Sequence, residues 1–146
     1  AEQIKNHTAF REYVAVTVGT INENGTIDAP IGRNPKERKK MAVTDKNSKN
    51  AVTHYKVLEN YKGFTLVECR LETGRTHQIR VHMAYIGRPL LGDEVYGGKV
   101  KRFKTDGQML HAIRLSVTHP TTGKRMTFET AYPEYFKRIT DQLEKI

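Results

Sequence analysis

The sequence predicts an α+β fold, a mostly antiparallel mixed sheet with a few helices, and three observations carry the prediction. Runs of β-branched residues alternate with a period of two, short Gly- and Asn-bearing turns separate them, and two segments place apolar residues at helical spacing. With 146 residues, 37% of them hydrophobic, the chain has the length and apolar content for one domain with a single ordinary core, taken as residues 1–146.

Residues 1–8 are polar and without periodicity, and read as the tail of something upstream. In residues 10–21 (FREYVAVTVGTI), Tyr13, Ala15, Thr17 and Gly19 alternate with Val14, Val16 and Val18, which predicts a strand with its Val side on a core. Residues 22–25 turn, and residues 26–31 return as a short partner strand that Pro30 limits. Residues 32–40 (GRNPKERKK) have no apolar face and predict a loop or an exposed edge. A short strand over 41–43 follows, then strands over 51–61 and 64–71 that form a hairpin. Residues 73–87 (TGRTHQIRVHMAYIG) predict a turn and a helix: Gly74 frees the backbone, Ile79, Met83 and Ile86 form one apolar stripe, and Gly87 stands where a left-handed residue ends a helix. Arg75, Thr76 and His77 then fall in the first helical turn, where free N–H groups and the macrodipole favour an anion such as phosphate. Residues 88–100 predict an ordered loop pinned by Leu90, Leu91, Val95 and Tyr96. Strands over 109–117 and 125–130 flank a turn at 119–123, and residues 133–146 close the chain as a helix with Pro133 in its first turn.

The balance of 25 Lys and Arg against 16 Asp and Glu, a formal net charge of +9, is the electrostatic footprint of a nucleic-acid binder. The basic groups fall in two segments, one over residues 33–40 and one at Lys99, Lys101, Arg102 and Lys104, flanking Arg75 and Arg80. Spacing alone leaves a phosphate-binding surface and a solvated one both open. No apolar run reaches the roughly 18–20 residues of a membrane span, and no secretory leader is visible, so a cytoplasmic protein without a membrane partner is expected. Cys69, the single cysteine, reads as a small core side chain. The six His predict no metal site, because His77 and His82 are five residues apart and lack acidic partners at zinc spacing. No Gly-x-Ser-x-Gly elbow points to a serine hydrolase.

Residues 71–97 (LETGRTHQIRVHMAYIGRPLLGDEVYG) form a long motif, and further stretches keep it company: Arg11-Glu12-Tyr13-Val14-Ala15-Val16 before Gly19, Ala29-Pro30-Ile31-Gly32-Arg33, Lys40-Met41-Ala42-Val43, Ala51-Val52-Thr53-His54-Tyr55, Leu110-His111-Ala112 and His119-Pro120. In this order they resemble the RluA-type pseudouridine synthases of large-subunit rRNA and tRNA, over nearly the whole chain. The resemblance implies an RNA partner, no cofactor, and an isomerisation in which the N-glycosidic bond of a uridine breaks and the rotated uracil is rejoined through C5. It implies a catalytic Tyr13 packed against the flipped uracil and a catalytic Arg80 that pairs with a catalytic aspartate. It further implies Leu71 lining the uracil pocket, Arg75, His77 and Gln78 contacting RNA phosphate or positioning neighbours, and Asp93 and Tyr96 bracing the loop after the helix.

The family's aspartate belongs to an upstream His-Arg-Leu-Asp segment that this chain lacks, and Asp28, Asp45, Asp93, Asp106 and Asp141 all stand in other contexts. The chain is therefore expected to be the C-terminal part of a longer catalytic domain, inactive alone, with an exposed strand edge that favours self-association. The alternative is a non-catalytic basic RNA-binding module on the same half-domain.

Overall fold

A computed structural model describes residues 10–146; the polar stretch over residues 1–8 lies outside them. The first expected strand is β1, Phe10–Val18, flanked by β6 (Phe64–Leu71) and β7 (Leu110–Thr118). With β2 (Gly25–Asp28), β5 (Val52–Tyr61) and β8 (Arg125–Glu129) they form one six-stranded sheet in the order β2-β5-β6-β1-β7-β8. Among the described residues its pairings are all antiparallel and two helices cover it, so the α+β class holds. A second, two-stranded sheet joins β3 (Ile31–Arg33) to β4 (Met41–Val43).

Both faces of β1 are buried. Val14 and Val16 pack with Phe136 and Ile139 of α2 (Glu134–Thr140), as the Val side predicts. Ala15, on the other face, packs with Val67, Cys69 and with Ile79 and Met83 of α1 (Gln78–Tyr85). Burial pushes the Cys69 thiol up to about 12, which keeps it an inert core side chain.

Four expectations need correction. Residues 25–28 do not return against β1 but pair with β5, because β6 and β7 already occupy both edges of β1. Gly32 and Arg33, expected in a loop or an exposed edge, continue a strand from Ile31, which is buried beside Val81 of α1 and pairs with Val43, so the basic run is the tip of a hairpin. The first helix starts at Gln78, leaving Arg75 and Thr76 outside it, and Gly74 does not hold a positive φ; His77, the N-cap, takes that conformation at φ 55°. The last helix ends at Thr140 with Asp141 as its C-cap, since Leu143 must still reach the core and Lys145 bridges back to Tyr61.

The end of α1 is as expected. Gly87 has φ 76°, its N–H meets the Ala84 carbonyl at 3.0 Å, and Arg88 N–H meets Met83 O at 2.8 Å, the two bonds of a Schellman ending. The chain then runs along β1, with Val18 N–H on Pro89 O and Leu91 N–H on Val16 O, both at 2.8 Å. Residues 89–91 thus extend the ladder beyond the start of β7 and anchor the ordered loop.

Candidate active site

Tyr13 lies on the α1 side of the sheet, across from Cys69 and Ala112, where the β1–β7 register shifts between Glu12 and Tyr13. Leu71 ends β6 opposite Arg11, and the chain then turns toward α1. Gln78, only 2% exposed, shapes that turn. Its Oε1 accepts from the Thr73 hydroxyl at 2.7 Å and from Arg75 N–H at 3.0 Å, while Nε2 donates to Val52 O and Thr53 Oγ1, both at 3.0 Å. All four hydrogen-bonding positions of the amide are occupied inside the protein. Gln78 is therefore a clamp on the turn and not a free contact for RNA.

One turn further on, Arg80 meets Asp93 two-pronged, Nε to Oδ2 at 2.9 Å and Nη2 to Oδ1 at 3.1 Å. The carboxylate is fully buried and the guanidinium side chain only 12% exposed. Asp93 Oδ1 also accepts the N–H groups of Val95 and Tyr96, at 3.0 and 3.1 Å, which confirms the expected bracing of this loop. Burial would raise the Asp93 pKa, but the Arg80 hydrogen bonds and charge and the two loop N–H groups outweigh it and hold the carboxyl below its ordinary range. The Arg80 guanidinium carbon stands 5.2 Å from the centroid of the Tyr96 ring, and the Tyr96 hydroxyl accepts Met41 N–H at 3.0 Å and meets His77 Nδ1 at 2.9 Å. Desolvation and the Arg80 charge lower the His77 pKa, favouring a neutral imidazole.

Arg80, His77 and Gln78 border a cavity of about 250 Å³ whose other lining residues are Arg11, Tyr13, Leu71, Gly74, Arg75, Ile79, Gln108 and Leu110. All six candidate residues from the sequence thus come together at one cavity. Arg75 is held from outside the helix, its Nε on Asn50 O at 2.8 Å and Nη2 on Asn50 Oδ1 at 3.3 Å. Among the residues lining the cavity none is a carboxylate. Sequence reasoning missed Arg11, Gln108 and Leu110; Arg11 carried a signal, since it lies two residues before Tyr13 on the same strand face. A larger cavity, about 490 Å³, lies by the β5–β6 turn and is lined by Lys62, Phe64, Arg102, Phe103, Gln142, Leu143 and Glu144. Its polar groups are mostly the mobile ends of long side chains, so the smaller cavity is the better candidate. Among the described residues no three His, Cys, Asp or Glu side chains group to hold a metal ion, and no helix is long and apolar enough to cross a membrane.

His82, fully buried behind Gln78, is locked as the neutral Nε2–H tautomer: Nε2 donates to Ala29 O at 2.9 Å and Nδ1 accepts the Thr53 hydroxyl at 2.8 Å. Desolvation lowers its pKa below the ordinary 6.5. The unfolded chain then binds this proton first, so the stability is fully present above 6.5 and falls as pH drops from 6.5 toward the folded value. Urea unfolding between neutral pH and about pH 5 should show a shallower decline in His82→Gln than in the wild type. Parallel declines would remove His82 from the acid response.

Residues 1–85 match a family model described as RNA pseudouridylate synthase. An uncharacterized RNA pseudouridine synthase of Bacillus subtilis, YlyB, is 54% identical over 144 residues, covering 98% of this chain and 47% of the relative. The ribosomal large subunit pseudouridine synthase D of Pseudomonas aeruginosa is 47% identical over 92% of this chain and 45% of its own length. Among solved structures, human RNA pseudouridylate synthase domain containing 1 superposes with a TM-score of 0.81 at 30% identity, over 99% of this chain and 63% of that one. The fold is thus that of the RNA pseudouridylate synthase domains. The chain belongs to the RNA pseudouridine synthases of the RluA type, and it spans about half the length of the curated relatives it matches.

Proposed function

We propose that the full-length protein isomerises uridine to pseudouridine in structured RNA in the cytoplasm, with ribosomal RNA the first substrate to test and tRNA the second. The observation that carries this reading is the convergence of Tyr13, Leu71 and Arg80, from two strands and a helix, on one cavity. Leu71 offers an apolar wall to a flipped uracil, and the Tyr13 ring offers a stacking face with a hydroxyl at its edge. When the base leaves C1′ at N1 and returns through C5, the C5 proton must depart and N1 must gain one; the Tyr13 hydroxyl is the group for that transfer. Arg80 orients the catalytic aspartate of the full-length protein, the nucleophile or base of the reaction, which residues 1–146 do not contain. Arg75 and His77, at the rim, meet RNA phosphate or position its backbone.

A pseudouridine assay on the full-length protein with ribosomal RNA and tRNA tests the reading, with the 146-residue chain alone expected to be inactive. RNA binding without any pseudouridine would favour the non-catalytic module instead. The edge strand β8 exposes Phe128 by 52% and its neighbour on β7, Leu115, by 38%, which supports self-association of the isolated chain. Sedimentation should then show dimers or larger species at high concentration, and a monomer throughout a wide range would sink this part.

A further inference from the structure

Arg80 is gripped along one edge. Its Nε and one Nη2 hydrogen are taken by Asp93, while Nη1 and the second Nη2 hydrogen lie outside that pair, on a residue that lines the cavity. Asp93 cannot swing to follow a moving guanidinium, because its Oδ1 is held from behind by the N–H groups of Val95 and Tyr96 at 3.0 and 3.1 Å. The Tyr96 ring closes a third side, 5.2 Å from the guanidinium carbon.

Bracing the loop needs one acceptor oxygen, and Oδ1 provides it. Oδ2 bonds Arg80 at 2.9 Å and is given no loop N–H, so the second oxygen calls for a different explanation. We propose that Asp93 is a positioning residue for the isomerisation: it aims the unpaired edge of Arg80 into the cavity, a role that rests on Arg80 acting as proposed above. A flexible arginine would have to be ordered in each turnover; one fixed on two prongs and a ring face is ordered beforehand.

The test is Asp93→Asn in the full-length protein. The amide oxygen keeps both loop N–H groups and the Nη2 bond, but its NH2 faces the Arg80 Nε–H donor, so bracing survives and the two-pronged grip on Arg80 is broken. Turnover of RNA is expected to fall about 100-fold in kcat at nearly unchanged KM, the loss that a small misplacement of a reacting group brings. A second readout is independent of activity: the ¹⁵N-bound Nε–H signal of Arg80, identified by its disappearance in Arg80→Lys, should be sharp and slow to exchange in the wild type and broadened or lost in Asp93→Asn. Wild-type kcat with an unchanged signal overturns the proposal, as does a lower melting temperature with kcat intact. If Asp93→Asn does not fold, Asp93→Glu decides, since it keeps the charge but moves the carboxylate by one methylene; a wild-type kcat there is the overturning result. If the wild type makes no pseudouridine, the proposed function fails separately, and the Arg80 signal still decides whether Asp93 holds the guanidinium.

Discussion

Gly98→Ala is expected to unfold the chain or leave it without the ordered loop that carries Asp93. A Cβ at residue 98 would stand 1.7 Å from the Leu90 carbonyl oxygen and 2.6 Å from its carbon, and both are backbone atoms. Neither can swing aside as a side-chain tip could. The backbone here closes on itself, with Asp93 N–H on Leu90 O at 3.1 Å, Gly98 N–H on Asp93 O at 2.8 Å and Gly92 N–H on Gly98 O at 2.8 Å. Leu90 and Leu91 are fully buried, and the backbone on either side of Leu90 is bonded to β1 through Pro89 O and Leu91 N–H, so a displacement of Leu90 reaches the central strand. The cost should be about 4–5 kcal/mol or more, against a total stability of about 5–15 kcal/mol for a domain. Gly97→Ala is the control: φ is 104°, yet nothing lies within 4 Å of the added carbon, so only backbone strain of about 1–3 kcal/mol is expected. Urea unfolding of the two variants side by side checks this, and equal losses would refute the close-approach explanation.

The same loop shows where legibility in the sequence ends. Alternation in residues 10–18 and 64–71 makes β1 and β6 readable, because burial on a sheet imposes a period that is local. The apolar stripe of α1 and its Gly87 ending are readable for the same reason. Which strand receives β2 is not, since it depends on β6 and β7 having filled both edges of β1. The start of α1 was also hidden: Arg75, Thr76 and His77 look like a first turn until Gln78 is seen folding back onto Thr73 and Val52. At the site, Tyr13, Leu71 and Arg80 were found through the resemblance of their motifs rather than from periodicity. The motif marks Asp93 only as a loop brace, and its grip on Arg80 is visible only in the fold. No pattern at a separation of 13 residues marks that pairing, which the course of the chain around Gly92 and Gly98 sets up.

Arg80→Ala in the full-length protein is expected to lower pseudouridine formation by a factor of about 1,000 or more, as loss of a positioned charge at a reacting centre does. It should also weaken the fold, for Asp93 becomes a fully buried carboxylate without a counter-charge, a change that costs about 3–5 kcal/mol when one partner of a buried pair is removed. An activity loss could therefore be mistaken for an unfolding loss, and two further measurements separate them. In the wild type the lowered Asp93 pKa contributes stability that is present above the unfolded value of 3.8 and is lost as pH falls below it. Arg80→Ala removes the partner that lowers this pKa and should flatten that acid limb. The double variant Arg80→Met with Asp93→Asn removes both charges while leaving an acceptor for Val95 and Tyr96 N–H, so most of the stability should return. Activity should not return with it, because no guanidinium is left to orient the carboxylate. A double variant that recovers both would reassign Arg80 to the fold, and Arg80→Ala with wild-type turnover would remove it from the active site altogether.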